Sequence, residues 1–210
     1  MADAAIVRVQ HCGTAIFCRR VPPRCPACGL PLPRGLADAP LRLPSPFRQG
    51  HRQPCALLLR PSGGTFLGGY DGKSDLHVGI TSSNGVVYNY DEEGVHREQS
   101  RWEECISIPL VQPDMFGLLQ QWDTLLEEFS VGEAWLPCRY DEHEHNCYTY
   151  ALAFINSILA AQGKQQISKS EFTERFVIPQ TKRASKYITV HQALTANNIY
   201  IVPLPQHENQ

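Results

Sequence analysis

Two hundred and ten residues suffice for one domain of ordinary size with a small appendage, and 42% hydrophobic against 19% charged residues excludes a disordered or fibrous chain. A net charge of −2 marks the whole chain neither as a nucleic-acid binder nor as a membrane-surface protein. That average conceals a split: residues 1–60 carry nine Arg against two Asp, while residues 61–150 carry four basic against sixteen acidic residues.

Met1 to Val9 show no basic segment followed by an apolar run, so no secretory signal is expected. Ala151 to Ala161 is too short and too polar for a membrane span, which needs roughly 20 residues. The expectation is an intracellular protein, cytoplasmic or nuclear, whose eight cysteines are thiols or metal ligands rather than disulfides.

In chain order, Ile6, Val7, Val9 and then Ala15, Ile16, Phe17 predict short strands around His11-Cys12-Gly13. Cys25-Pro26-Ala27-Cys28-Gly29 has the shape of a zinc knuckle, a tight turn that points two thiolates at one ion. Tetrahedral zinc needs two further ligands. Cys12 and Cys18 are the nearest, with His11 as a substitute. Residues 1–30 are therefore expected to form a zinc-ribbon-like head holding a structural zinc through Cys12, Cys18, Cys25 and Cys28. Cysteines that merely pack as small apolar residues are the alternative. A redox pair fits less well, because no βαβ pattern surrounds the motif.

Residues 31–54, with Pro31, Pro33, Pro40, Pro44, Pro46 and Pro54, read as an extended strap. Its arginines are spread and Phe47 alone interleaves them, which argues against nucleic acid. They are expected to lie across the acidic segment instead.

From Cys55 to the end of the chain an α+β domain is expected. Ala56-Leu57-Leu58-Leu59 predicts a buried strand. Asn84-Gly85 between His77-Val78-Gly79-Ile80-Thr81 and Val86-Val87-Tyr88-Asn89-Tyr90 predicts a β-hairpin. Apolar residues at three- and four-residue steps predict helices over Met115 to Phe129 and Cys147 to Ala161. Ser168 with Glu171 reads as a capping box opening a third helix. Val190 to Ala196 reads as a short fourth one, and Tyr200-Ile201-Val202 as a closing strand.

Cys147 is the residue with the clearest chemistry. At a helix N-terminus, partial positive charge and free N–H groups favour thiolate and can hold an oxyanion. A thiol nucleophile also needs a base and a group that orients the base. His77 opens one hairpin strand and Asn89 closes the other, so the turn brings them together. A buried helix-face thiol beside a loop-bonded histidine is the simpler alternative. His143 and His145 among Asp141, Glu142 and Glu144 form either a carboxylate–imidazole metal site or a solvated acidic run. Were Asp141 the helix cap, Cys147 would sit inside the helix and lose the effect of its terminus. Trp102, Trp122 and Trp135 are expected in the core.

His77-Val78-Gly79-Ile80, Asn89, and Asn146-Cys147-Tyr148-Thr149-Tyr150 together resemble the circularly permuted papain-like superfamily, which includes the lecithin–retinol acyltransferase and desumoylating-isopeptidase families. The likeness spans roughly residues 55–165. It implies a permuted papain-like antiparallel sheet packed on a Cys-bearing helix. It further implies Cys147 as nucleophile, His77 as base, Asn89 as orienting group and the Cys147 N–H in an oxyanion hole. The acyltransferase relatives usually carry a second His where Asn89 stands, and they typically use a membrane anchor that is not read here. Peptide, isopeptide or small acyl substrates are then expected. An inactive fold that serves as a module for a protein or peptide partner is the alternative. The whole chain, including its cysteine head, is similar to the makorin-2 opposite-strand protein family.

Overall fold

In chain order the strands are β1 (Ile6–His11), β2 (Thr14–Cys18), β3 (Leu41–Leu43), β4 (Phe47–Arg48), β5 (Ala56–Pro61), β6 (Leu76–Thr81), β7 (Val87–Asp91), β8 (Gly94–Glu98), β9 (Cys105–Pro109) and β10 (Ile199–Pro203). The α-helices are α1 (Phe116–Ser130), α2 (Cys147–Ala161), α3 (Lys169–Phe172) and α4 (Ile178–Asn197). The computed structural model describes residues 5–32 and 39–204. It divides into two compact units, residues 1–46 with 185–210, and residues 47–184.

The first unit is a four-stranded antiparallel sheet in the order β10-β2-β1-β3. Its core is small: Val9, Ile16, Cys18, Cys25 and Leu32, with Val7, Val21 and Ile199 packed around them. β1 and β2 are joined by a two-residue turn in which Cys12 and Gly13 both have positive φ, 42° and 74°. This is the turn whose twist matches that of the flanking strands.

The second unit is a six-stranded antiparallel sheet in the order β4-β9-β5-β6-β7-β8. α2 packs on β6 and β7. α1 is tied to the β6–β7 hairpin: Trp122 Nε1 donates to the Thr81 carbonyl at 2.8 Å and the Tyr88 hydroxyl to Glu127 at 2.8 Å. The Asn84-Gly85 turn closes with Ser82 N–H bonded to the Val86 carbonyl at 2.9 Å. Gly85 has φ +87°, and a Cβ there would collide with the His51 carbonyl. Only glycine meets both demands. Trp102, Trp122 and Trp135 are buried, as their size and apolarity predict.

Two elements differ from the sequence reading. Of the strap over 31–54, residues 33–38, with Pro33 and Arg34, lie outside the described residues. The rest is partly ordered, with β3 on β1, β4 on β9 and a 3-10 turn over Gly50–Arg52. The fourth helix is far longer than Val190 to Ala196. α3 runs through a π turn at Thr173–Val177 into α4 without a break. Pro179 offers no N–H to the preceding turn, and the wider π turn lies just ahead of it. Among the described residues, no helix is long and apolar enough to cross a membrane.

Candidate functional site

All eight cysteines are free thiols. In the first unit His11, Cys12, Cys25 and Cys28 bring their donor atoms within 4.8 Å of one another, a metal-binding distance. Cys12 Sγ lies 3.7 Å from Cys25 Sγ, and Cys28 Sγ lies 3.4 Å from His11 Nδ1. The β1–β2 turn supplies the first two residues. A tight loop supplies the other two: Gly29 N–H bonds the Cys25 carbonyl at 2.8 Å, Cys25 N–H bonds the Leu30 carbonyl at 2.8 Å, and Gly29 has φ +77°. Burial pushes the Cys25 thiol up, but the N–H groups of Cys28 and Ala27, together with the Cys28 and Cys12 thiols, outweigh it and bring the thiol down to about 6.

Cys18 is not among these residues. It is fully buried in the core, its sulfur 3.9 Å from the Val7 carbonyl. The register explains why: His11 pairs with Thr14 beside the turn, whereas Cys18 pairs with Val7 at the far end of the hairpin. At about 3.3 Å per residue, four steps along β2 carry Cys18 well beyond reach of a shared ion. His11 stands in its place. The register of the hairpin makes the choice between the two.

In the second unit Cys147 is the first residue of α2. Asn146 is the N-cap, its side chain accepting from Tyr148 N–H at 3.0 Å and Thr149 N–H at 3.2 Å. Asp141 caps a preceding turn instead, accepting from His143 and Glu144 N–H at 3.0 and 2.8 Å. The Cys147 sulfur is half-buried, and the N–H groups of Val78, of Tyr148 and its own act to lower its thiol pKa. Burial nevertheless dominates and pushes the thiol up from its ordinary value.

Val78 follows His77 on β6. The His77 Nε2–H donates to Asn89 Oδ1 at 2.8 Å. Asn89 pairs with Gly79 rather than with His77, so the contact is a diagonal one across the hairpin. Gly79 is needed there, because a Cβ would lie 2.6 Å from Val87 Cγ1 and 3.0 Å from Trp102 Cη2. Trp102 fills that space and sits 5.8 Å from the His77 ring. Burial lowers the His77 pKa, and the Asn89 bond only partly opposes it. No hydrogen bond joins the Cys147 thiol to the His77 ring. Behind Asn89 lies a residue that no sequence signal marked: Glu98 accepts from Asn89 Nδ2 at 3.2 Å and from Trp102 Nε1 at 2.6 Å.

The histidines of the acidic run take another part. His145 stacks on Trp135 with ring centroids 4.8 Å apart and donates to the Ala134 carbonyl at 2.9 Å. Among the described residues the only group with metal-ligand geometry is that of His11.

The family model described as DUF4796 C-terminal matches residues 40–194, and DUF4796 N-terminal matches residues 4–32. The chain is 51% identical over 210 residues to the MKRN2 opposite strand protein of Homo sapiens, a match that covers 100% of this chain and 94% of that protein. No solved structure matches.

Proposed function

The chain belongs to the DUF4796 family, and we propose that it is a cysteine-dependent hydrolase or acyltransferase of permuted papain-like type, working through a thioester on Cys147. What supports this is the 2.8 Å bond from His77 Nε2–H to Asn89 Oδ1, on the two strands against which the helix that begins at Cys147 packs. A neutral imidazole carries one proton. With that proton on Nε2, Nδ1 holds a lone pair.

In the proposed reaction Nδ1 takes the Cys147 proton while sulfur attacks the substrate carbonyl carbon. The carbonyl π electrons move to oxygen. The Asn146 cap occupies the Tyr148 and Thr149 N–H groups, which leaves the Cys147 N–H to bind that oxyanion. Collapse expels an amine or alkoxide, which takes the proton from His77, and leaves a thioester. Water or a second acceptor, deprotonated by Nδ1, then attacks the thioester carbon, the C–S bond breaks, and the departing sulfur takes the proton back from Nδ1. Burial holds Cys147 protonated and His77 neutral in the resting site, so proton transfer accompanies attack.

Thiol-directed labelling of the intact protein tests this. Labelling at Cys147, read by mass spectrometry of its peptide so that Cys12, Cys25, Cys28 and Cys138 do not contribute, should be faster than in the unfolded chain and should fall about a hundredfold in His77→Ala. Labelling no faster than an unfolded thiol would leave the second reading, a protein-interaction module. The missing thiol–imidazole hydrogen bond favours that one.

The cluster in the first unit is proposed as a structural zinc site with His11, Cys12, Cys25 and Cys28 as ligands. Bonds of about 2.3 Å to sulfur and about 2.0 Å to nitrogen give tetrahedral edges of about 3.7 and 3.5 Å. The separations of 3.7 and 3.4 Å fit them.

A further inference from the structure

We propose that Glu98 is a positioning residue: it fixes which way the Asn89 amide faces, and thereby which nitrogen of His77 carries the proton. The inference rests on the catalytic reading for its purpose, but its geometry stands apart from it. Asn89 is fully buried on β7, and Glu98 lies diagonally from it on β8, where Asn89 pairs with His96 and Val87 with Glu98. The Glu98 side chain is only 10% exposed. One of its oxygens accepts from both Asn89 Nδ2 and Trp102 Nε1, and the other is held by Arg101.

An amide has two edges, a donor NH2 and an acceptor carbonyl, so Asn89 alone has two orientations of similar size and shape. Glu98 removes the choice. Burial would raise its pKa, but the Trp102 and Arg101 bonds more than reverse this and keep it an acceptor-only carboxylate. Turning the Asn89 oxygen toward it would set two acceptors face to face in a buried site and leave Nδ2 without that partner. Asn89 must therefore present NH2 to Glu98 and Oδ1 to His77. An oxygen that only accepts requires a proton on the facing nitrogen, so Nε2 is protonated and Nδ1 is bare. With the amide reversed, NH2 would donate to Nε2 and the proton would move to Nδ1, where it would block the base.

Trp102 serves the same end from two sides. Its indole N–H anchors the Glu98 carboxylate, and its ring sits against the His77 imidazole. Arg60, opposite His77 on β5, stacks over that ring 4.7 Å from its centroid. The carboxylate is thus held by Asn89, Trp102 and Arg101 together.

Nitrogen-15 NMR of the full chain, labelled at histidine, reads the tautomer directly. The wild type should show His77 with Nε2 protonated and Nδ1 bare. Glu98→Met, which offers no acceptor, should populate the Nδ1–H form, and Glu98→Gln, which keeps a carbonyl facing Asn89 and Trp102, should restore the wild-type form. Cys147 labelling should fall about ten- to a hundredfold in the Met variant and recover in the Gln variant. In the wild type the Asn89 NH2 protons should show a nuclear Overhauser effect to the Trp102 indole proton, a readout that does not depend on a variant's folding. An Nδ1–H ring in the wild type, an unchanged tautomer in a folded Met variant, or Asn89 NH2 protons against the His77 Nε2 edge instead would each overturn the inference. A tautomer shift beside a Cys147 that never labels quickly would uphold it and refute the catalytic reading.

Discussion

His77 can act as a base only while neutral, and its surroundings keep it so. Burial lowers its pKa, Arg60 adds to that, and the Asn89 bond, Asp91 and Glu98 oppose both without overcoming them. The sign of the pH effect follows. Below the unfolded-chain value of about 6.5 the unfolded state binds a proton that the folded state refuses, so stability falls as pH drops. Cys147 acts at the other end: its raised pKa means that the unfolded chain loses the thiol proton first, and stability falls as pH rises past about 9. Thermal melting at pH 7.5 and pH 5.5 should show an acid loss that is smaller in His77→Gln, and a drop of equal size in both proteins would refute the assignment. The contact of His77 with Asn89 and the place of Cys147 at a helix start are legible in the sequence because a hairpin turn and a helix start are local signals. Glu98 is not legible. Its role depends on a diagonal contact with Asn89 and on the indole of Trp102, and nothing in His96-Arg97-Glu98-Gln99 marks this glutamate as one that faces inward.

At the scale of elements, α2 shows how a short signal fixes the place of one side chain. Asn146 accepts two N–H groups of the first turn and sets Cys147 at the first helical residue. Asn146→Ala should cost about 1 kcal/mol, read as a lower denaturant midpoint at unchanged slope. The same variant should slow Cys147 labelling, because a frayed first turn no longer holds the thiol against Val78. Unchanged stability would show that tertiary contacts alone fix this start. The Ser168 cap, accepting from Glu171 N–H at 3.2 Å, was legible for the same reason. α4 was not. Its polar composition over Gln180 to Lys186 hides the apolar stripe of Ala184, Ile188 and Leu194, which are the positions that become buried.

Across the whole molecule the head depends most on atoms far apart in sequence. Its core of Val9, Ile16, Cys18, Cys25 and Leu32 is small, and a metal that binds only the folded form would stabilise it directly. Purified protein should carry about one zinc per chain. His11→Ala and Cys25→Ala should lose it, Cys18→Ala should retain it, and chelation should lower the melting temperature. Zinc lost from Cys18→Ala and kept in His11→Ala would reverse the ligand assignment. The charge split acquires a place as well. The acidic stretch holds the thiol, its hairpin and Glu98, while several head arginines fall on or beside the short strands of the first unit.

The sequence by itself determined the knuckle at Cys25 to Cys28, the Asn84-Gly85 hairpin and the start of α2, because turn geometry, capping and periodicity act within a few residues. Tertiary structure alone decided that β10 closes the sheet of the first strands, that His11 rather than Cys18 joins the thiols, and that Glu98 stands behind Asn89. Those choices follow from register and from which strands pair. Pairing between distant segments is settled by burying apolar faces and satisfying polar groups over the whole fold, information that no short window of residues contains.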